Sequence, residues 1–372
     1  MEYHLAETVI LKETTIVRQR SLPPRAYGEV QVSAGAQVNW SKVVASGSMP
    51  RDYSLIDIAA ALGIDPEDSE NLAKVIELVP GDEVTAGMPL AKARRRRERK
   101  RIPKAPADGF VNLIERGRII LQVNPEPVEV RARIPGTVTA LLGEDEDEPR
   151  GVEIQSAGTL IQCAWGNGQF NFGPYSLEPS EGLVSLRALD SLLENLRGRI
   201  YVLQRPLQGE DLVIAVEKEL GGLVAPSMPH YLRETALMLK VPIILTEGFG
   251  DREPTPRIYD LLTEFENTRE GTFDATMPAR WHHERPEIVL PVSLRDRPPE
   301  PISDEPLSIG ATVRIRREPY AGQIAQVRGI PEALQVIENG LHVRAAQVKL
   351  RGGKNVMIPL ANLELLGESS DK

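Results

Sequence analysis

The chain has 372 residues, 41% of them hydrophobic and 26% charged, with 44 Lys+Arg against 53 Asp+Glu and a net charge of −9. That is the composition of a globular protein of two or three domains; it excludes a disordered chain and a protein whose whole surface grips nucleic acid. A single Cys excludes a disulfide framework and a cysteine-rich zinc module, and no apolar run is long enough for a transmembrane helix. The first residues hold no apolar signal region, so a reducing cytoplasm is the expected compartment.

Thirty glycines, thirty prolines and only 5% aromatic residues point to many short strands joined by tight turns. Residues 28–45 and 76–91 share the pattern Gly-x-x-Val-x-x-x-x-x-[Val/Leu]-Ala, with Gly35 over Gly81, Val38 over Val84, Val44 over Leu90 and Ala45 over Ala91. A turn glycine followed by apolar residues facing one way suits strands of a small barrel. Between the copies, residues 53–77 carry apolar residues at helical spacing, closed first by Gly63 and Pro66, which predicts one or two inserted helices. Further on, Ala105-Pro106-Ala107-Asp108-Gly109-Phe110-Val111 and Ile134-Pro135-Gly136-Thr137-Val138 set Pro and Gly ahead of β-branched runs.

These residues resemble the barrel-sandwich hybrid, the biotinyl/lipoyl-carrier-like fold, in which a Gly-Asp-x-Val-x-x-Gly-x-x-Leu half is answered by an Ala-Pro-x-x-Gly-x-Val half. Gly81, Asp82, Val84, Gly87, Leu90, Ala105, Pro106, Gly109 and Val111 fit it, and the resemblance covers roughly residues 28–160. Carrier proteins of that family place a modifiable Lys between the halves. Here the place is held by Arg94, Arg95, Arg96, Arg97, Glu98, Arg99, Lys100 and Arg101, so no biotin or lipoate is expected. The run is a second basic patch, either a contact for nucleic acid or an acidic partner or simply a solvated extension, and the acidic run 144–148 can offset it.

From about residue 183, short apolar runs alternate with amphipathic segments, predicting a small parallel α/β domain with LVSLRAL as one of the apolar runs. Ligands of such sheets sit at strand carboxyl ends, which makes Ser227, His230 and Glu247 a candidate ligand site. Gly221-Gly222 and Lys240-Val-Pro242 resemble the swivelling phosphohistidine domain, although His230 lies one residue out of place when aligned from Pro242. The glycines at 158–173 fit no nucleotide fingerprint and read as an interdomain turn, with Cys163 a small core residue. Adjacent His282 and His283 lack metal-ligand spacing, and no metal or other cofactor is expected.

Residues 293–306, with Pro298, Pro299, Pro301 and Pro306, read as a semi-rigid linker. Beyond it, Gly310-x-x-Val313-Arg-Ile315 followed by Tyr320-Ala-Gly322-Gln-Ile-Ala325-Gln-Val327 resembles the KOW motif of NusG-type elongation factors and some ribosomal proteins, carried on an SH3-like barrel. The motif's second glycine is Ala325 here. Over 307–363, eight basic residues face three acidic ones, a surplus of five positive charges on a chain whose remainder carries fourteen negative ones. Arg314, Arg316, Arg317, Tyr320, Gly322, Arg328, Lys349, Arg351 and Lys354 are therefore the candidate nucleic-acid contacts.

The expectation is a multidomain α/β plus all-β protein: a barrel-sandwich hybrid over 1–178, a small α/β domain over 179–292, the linker, and a KOW-like barrel over 307–366. Taken whole, it resembles a bacterial KOW-motif protein with an N-terminal barrel-sandwich hybrid. The resemblance implies a non-catalytic binding or adaptor protein contacting RNA, DNA, a ribosome or RNA polymerase, with a protein partner and no membrane. Two alternatives stay open: a small-molecule sensor or enzyme using the α/β domain, and a purely structural adaptor.

Overall fold

The computed structural model describes residues 3–93, 100–143, 148–188, 196–267, 269–277, 284–292, 298–301, 306–337 and 340–367. Among them the protein is mostly β, with a large mixed sheet, two smaller sheets and a few short helices.

The chain begins with β1 (Ala6–Ser21), a long strand rich in Thr, Val and Ile, followed by β2 (Tyr27–Val30), β3 (Gln37–Val38) and β4 (Val43–Asp57). Then come α1 (Ile58–Leu62), α2 (Ser69–Val75), β5 (Glu83–Val84), β6 (Gly109–Glu115), β7 (Arg118–Arg131), β8 (Gly136–Leu142) and β9 (Gly151–Gln162). The two expected helices form: the Asp57 carboxylate caps α1 by accepting from the Ala60 N–H, Gly63 ends it in left-handed backbone, and Asp68 caps α2.

The repeat takes a form that spacing alone does not reveal, one copy nested within the other. In the outer copy β3 pairs with β8, and the Gly35 N–H donates to the Val138 carbonyl at 2.8 Å. In the inner copy β5 pairs with β6, and the Gly81 N–H donates to the Val111 carbonyl at the same 2.8 Å. Both turn glycines have positive φ, 85° and 99°. Val38 and Val84 are buried in separate cores, Val38 with Val44, Ile134 and Val138, Val84 with Leu90, Val111 and the apolar faces of α1 and α2. The long β4–β7 ribbon connects the two copies.

The α/β part follows as β10 (Trp165–Gly166), β11 (Phe170–Leu177), β12 (Ile200–Val202), α3 (Gly209–Glu217), β13 (Gly222–Met228), α4 (Arg233–Met238), β14 (Ile243–Phe249), α5 (Pro256–Glu264), β15 (Glu270–Asp274) and β16 (Glu287–Pro291). β11, β12, β13 and β14 pair in parallel, as the strand–helix alternation predicts. Leu183–Ala188, the described part of LVSLRAL, form a 3-10 helix whose Leu183 and Leu186 pack on the α3 side of the sheet. The 158–173 segment is likewise more than a turn. Its β10 inserts beside β14, and the buried Asn167 amide donates to the carbonyls of Ala236 (2.9 Å) and Val241 (3.0 Å) while accepting from the Ile243 N–H (3.0 Å).

The C-terminal strands are β17 (Thr312–Ile315), β18 (Ile324–Gly329), β19 (Gln335–Val336), β20 (His342–Val343), β21 (Ala345–Leu350), β22 (Asn355–Pro359) and β23 (Leu363–Gly367). Ala325 lies inside β18, paired with Val313 and Leu350, so the position that is Gly in the motif needs no positive φ here. The expected segments do not end at sheet edges. β11 and β12 flank residue 178 as hydrogen-bonded neighbours, and β1 pairs both with β9 and, in parallel, with β23. The described part of the proline-rich stretch is also anchored, with the Thr15 N–H and Thr14 hydroxyl donating to the Pro299 carbonyl at 3.1 and 2.9 Å.

Candidate functional site

In β17 the strand alternation turns Val313 and Ile315 into the C-terminal core and sends Arg314 the opposite way. On an isolated sheet that face would meet water. Here it meets the carboxyl end of β14 and the strand β23, so Arg314 is not a surface contact for nucleic acid. Its Nη1 donates to both Glu247 oxygens at 3.1 and 3.2 Å, while Nε and Nη2 donate to Glu364 at 3.0 and 2.7 Å. The three side chains are 7%, 5% and 3% exposed, in the order Arg314, Glu247, Glu364. Burial works against the Arg314 charge, but the two carboxylates outweigh it and its pKa ends above the ordinary value. Burial likewise pushes Glu364 up, and Arg314 together with the Thr8 hydroxyl more than reverses this, leaving it below its ordinary value.

The other candidate contacts lie on the surface. Arg316, Arg317, Arg328, Lys349, Arg351 and Lys354 are exposed. Lys349 stands opposite Gln326 and beside Asn355 in the β18–β21–β22 register, on the solvent face that also carries Arg328. Arg351 and Lys354 flank the hairpin that follows. The Lys354 ammonium lies 5.5 Å from the centre of the Tyr320 ring and donates to its hydroxyl at 3.0 Å, and both line a groove with Arg317. Gly322 holds φ +80° at the turn before β18. Among the described residues, Arg317, Arg328, Lys349 and Arg351 have no carboxylate partner.

The three candidates from the α/β part separate. Ser227 is fully buried, accepting from the Arg252 N–H at 3.0 Å and donating to the Arg252 carbonyl at 3.1 Å, so it fastens the loop after β14. His230 is exposed and packs against Phe249 with ring centres 5.2 Å apart. Glu247 lines two cavities, one of about 200 Å³ and one of about 550 Å³, with Arg252 and Gly322 also lining both. Its carboxylate is already engaged by Arg314 and by the Thr255 hydroxyl at 2.7 Å. Arg252, Arg285, Thr8 and Glu364 also line the smaller cavity, and no sequence signal marks them; Thr8 and Glu364 meet there because β1 and β23 lie side by side.

Of the second basic patch, Arg94, Arg95, Arg96, Arg97 and Arg99 lie outside the described residues, while Lys100 and Arg101 are exposed. Residues 144–147 and His282 and His283 lie outside them as well. Burial pushes the Cys163 thiol pKa up, as expected of a core residue and not of a nucleophile. Among the described residues no group of His, Cys, Asp and Glu is placed to hold a metal, and no helix is long and apolar enough to cross a membrane. No family model matches the chain, and no curated protein matches it.

Proposed function

We propose that the protein is a non-catalytic binding protein that contacts nucleic acid, free or within a transcription or translation complex, through the basic face of residues 307–366. The observation that carries this is the set Arg317, Arg328, Lys349 and Arg351, exposed and without carboxylate partners among the described residues, on a chain of net charge −9. Exposed cations without carboxylate partners, on a segment with a positive surplus in an otherwise acidic protein, are a local footprint for phosphate. Tyr320 beside Lys354 adds an aromatic surface next to the charges.

Two structural features support the finer fold reading. The turn glycines Gly310 and Gly322 both hold positive φ around β17, in keeping with a KOW-type SH3-like barrel. The nested Gly-x-x-Val pairings support a barrel-sandwich hybrid carrying a second copy of its own motif.

The test is an electrophoretic shift of single-stranded RNA and of duplex DNA by the full chain at low salt. The full chain is needed because β23 pairs with β1 and Arg314 relies on Glu247. A shift that Arg328→Gln, Lys349→Gln and Arg351→Gln together abolish supports the reading. Absence of any shift, with no ribosome or polymerase co-purifying, refutes it.

A further inference from the structure

The smaller of the two cavities at the end of β14 is walled by four arginines, Arg252, Arg285, Arg314 and Arg316, and by only two carboxylates, Glu247 and Glu364. Both carboxylates are saturated. One Glu364 oxygen takes Arg314, while the other takes the Thr8 hydroxyl and Arg285 at 3.4 Å, with Arg316 3.9 Å from the same oxygen. Glu247 is shared between Arg314 and Thr255. Arg314 is consumed by these contacts, but the other guanidiniums are not. Among the described residues the Arg252 guanidinium makes one hydrogen bond, to the Glu247 carbonyl at 3.1 Å, and that of Arg285 bonds through Nη1 alone, to Thr8 at 2.9 Å and to Glu364. Each guanidinium offers five N–H donors. An enclosure of about 200 Å³ thus holds a surplus of positive charge, with donors directed at no acceptor among the described residues.

Its neighbour has the opposite character. The cavity of about 550 Å³ shares Glu247, Arg252 and Gly322 with it, and adds Asp251, Glu253 and Glu318 against a single further cation, Arg351. Such a wall is rich in acceptors and suits hydroxyl groups. The pair lies beyond the carboxyl end of a parallel strand, where ligands of open α/β sheets sit.

We infer that the paired cavities bind a small phosphorylated polyol, with the phosphate among Arg252, Arg285 and Arg316 and the hydroxyls against Asp251, Glu253 and Glu318. Arg314 is a positioning residue that occupies the two carboxylates and keeps the other guanidiniums available. Arg316 borders the smaller cavity and the basic face, and Arg351 the larger cavity and the basic face, whereas Arg252 and Arg285 belong to the cavities alone, so variants at these two separate the sites.

Isothermal titration of ribose 5-phosphate into the full chain tests this, with inorganic phosphate and ribose as comparators. Saturable binding is expected, displaced by phosphate and absent for ribose, and weakened about tenfold or more by Arg285→Gln and by Arg252→Gln, as loss of a charge-assisted contact dictates. Both variants keep the nucleic-acid shift and a cooperative melt. No saturable binding up to about 10 mM ribose 5-phosphate overturns the inference. So does an affinity unchanged in both variants, or equal binding of ribose. Displacement of ribose 5-phosphate by a single-stranded oligonucleotide overturns it too, because the cavity would then be part of the nucleic-acid face.

Discussion

Replacing Arg314 by Met separates an internal role from a surface one. The substitution removes the cation from between Glu247 and Glu364, both at least nine-tenths buried, and leaves two carboxylates about a methionine's width apart in a low-dielectric setting. Breaking one buried pair costs about 3–5 kcal/mol, and here two are broken, so a loss at the upper end of about 5 kcal/mol is expected at neutral pH. Denaturant unfolding followed by tryptophan fluorescence measures it, since Trp165 lies in β10 beside the β14 strand that carries Glu247. Acidification sharpens the test. In the native protein Glu364 has a depressed pKa, so its contribution is complete above its ordinary 4.5 and fades as pH falls below that. In Arg314→Met, Glu364 loses the cation that held its pKa down, and its protonation relieves the repulsion between the two buried carboxylates. The gap between the two proteins therefore narrows as pH falls. The triple variant Arg314→Met, Glu247→Gln, Glu364→Gln restores most of the stability, as no buried charge is left unpaired. If Arg314→Met melts like the parent and instead loses nucleic-acid affinity, Arg314 is a surface contact and the buried-cluster reasoning fails.

A Cβ at Gly109 would lie 1.8 Å from the Gln122 carbonyl oxygen, so Gly109→Ala must spread β6 from β7; a loss of about 2–4 kcal/mol is expected, with hydrogen exchange accelerating in that ribbon before elsewhere. Asn167→Ala removes three hydrogen bonds to buried backbone groups around β10, α4 and β14, and should cost about 3 kcal/mol by denaturant melt, whereas a loss below about 1 kcal/mol would mean water replaces the amide. For the basic face, the slope of log affinity against log salt should flatten by about 0.9 on duplex DNA for each of Arg317, Arg328, Lys349 and Arg351 changed to Gln; an unaltered slope assigns the contact elsewhere.

Local features were legible in the sequence where backbone chemistry is local. Gly35 and Gly81 announced turns, Gly63 closed a helix, and the strand–helix alternation after residue 183 gave a parallel sheet. What remained hidden is long-range pairing. Nothing in residues 6–9 states that they lie against 364–367, and that contact places Thr8 beside Glu364 and completes the cluster around Arg314. The same limit explains the misplacement of Arg314. Counting charge by segment treats every strand's polar face as solvent, and that holds only when no other part of the chain covers it. Ser227 illustrates a milder case, a strand-end hydroxyl whose hydrogen bonds both go to Arg252 main chain.

The parallel contact of β1 with β23 also bears on how the chain assembles as it is made. Joining segments about 350 residues apart costs only about 3 kcal/mol more in loop-closure entropy than closing a short hairpin, so the equilibrium penalty is modest. The delay is the greater burden. At about 5–20 residues per second, β1 leaves the ribosome tens of seconds before its second neighbour exists. In that interval β9 can protect one of its edges, while the other presents unpaired amides and carbonyls next to Val9 and Leu11. Synthesis stalled ahead of residue 363 would therefore release a nascent chain with an adhesive N-terminal strand, and a holdase that shields this strand until the last one emerges would raise the yield of native protein.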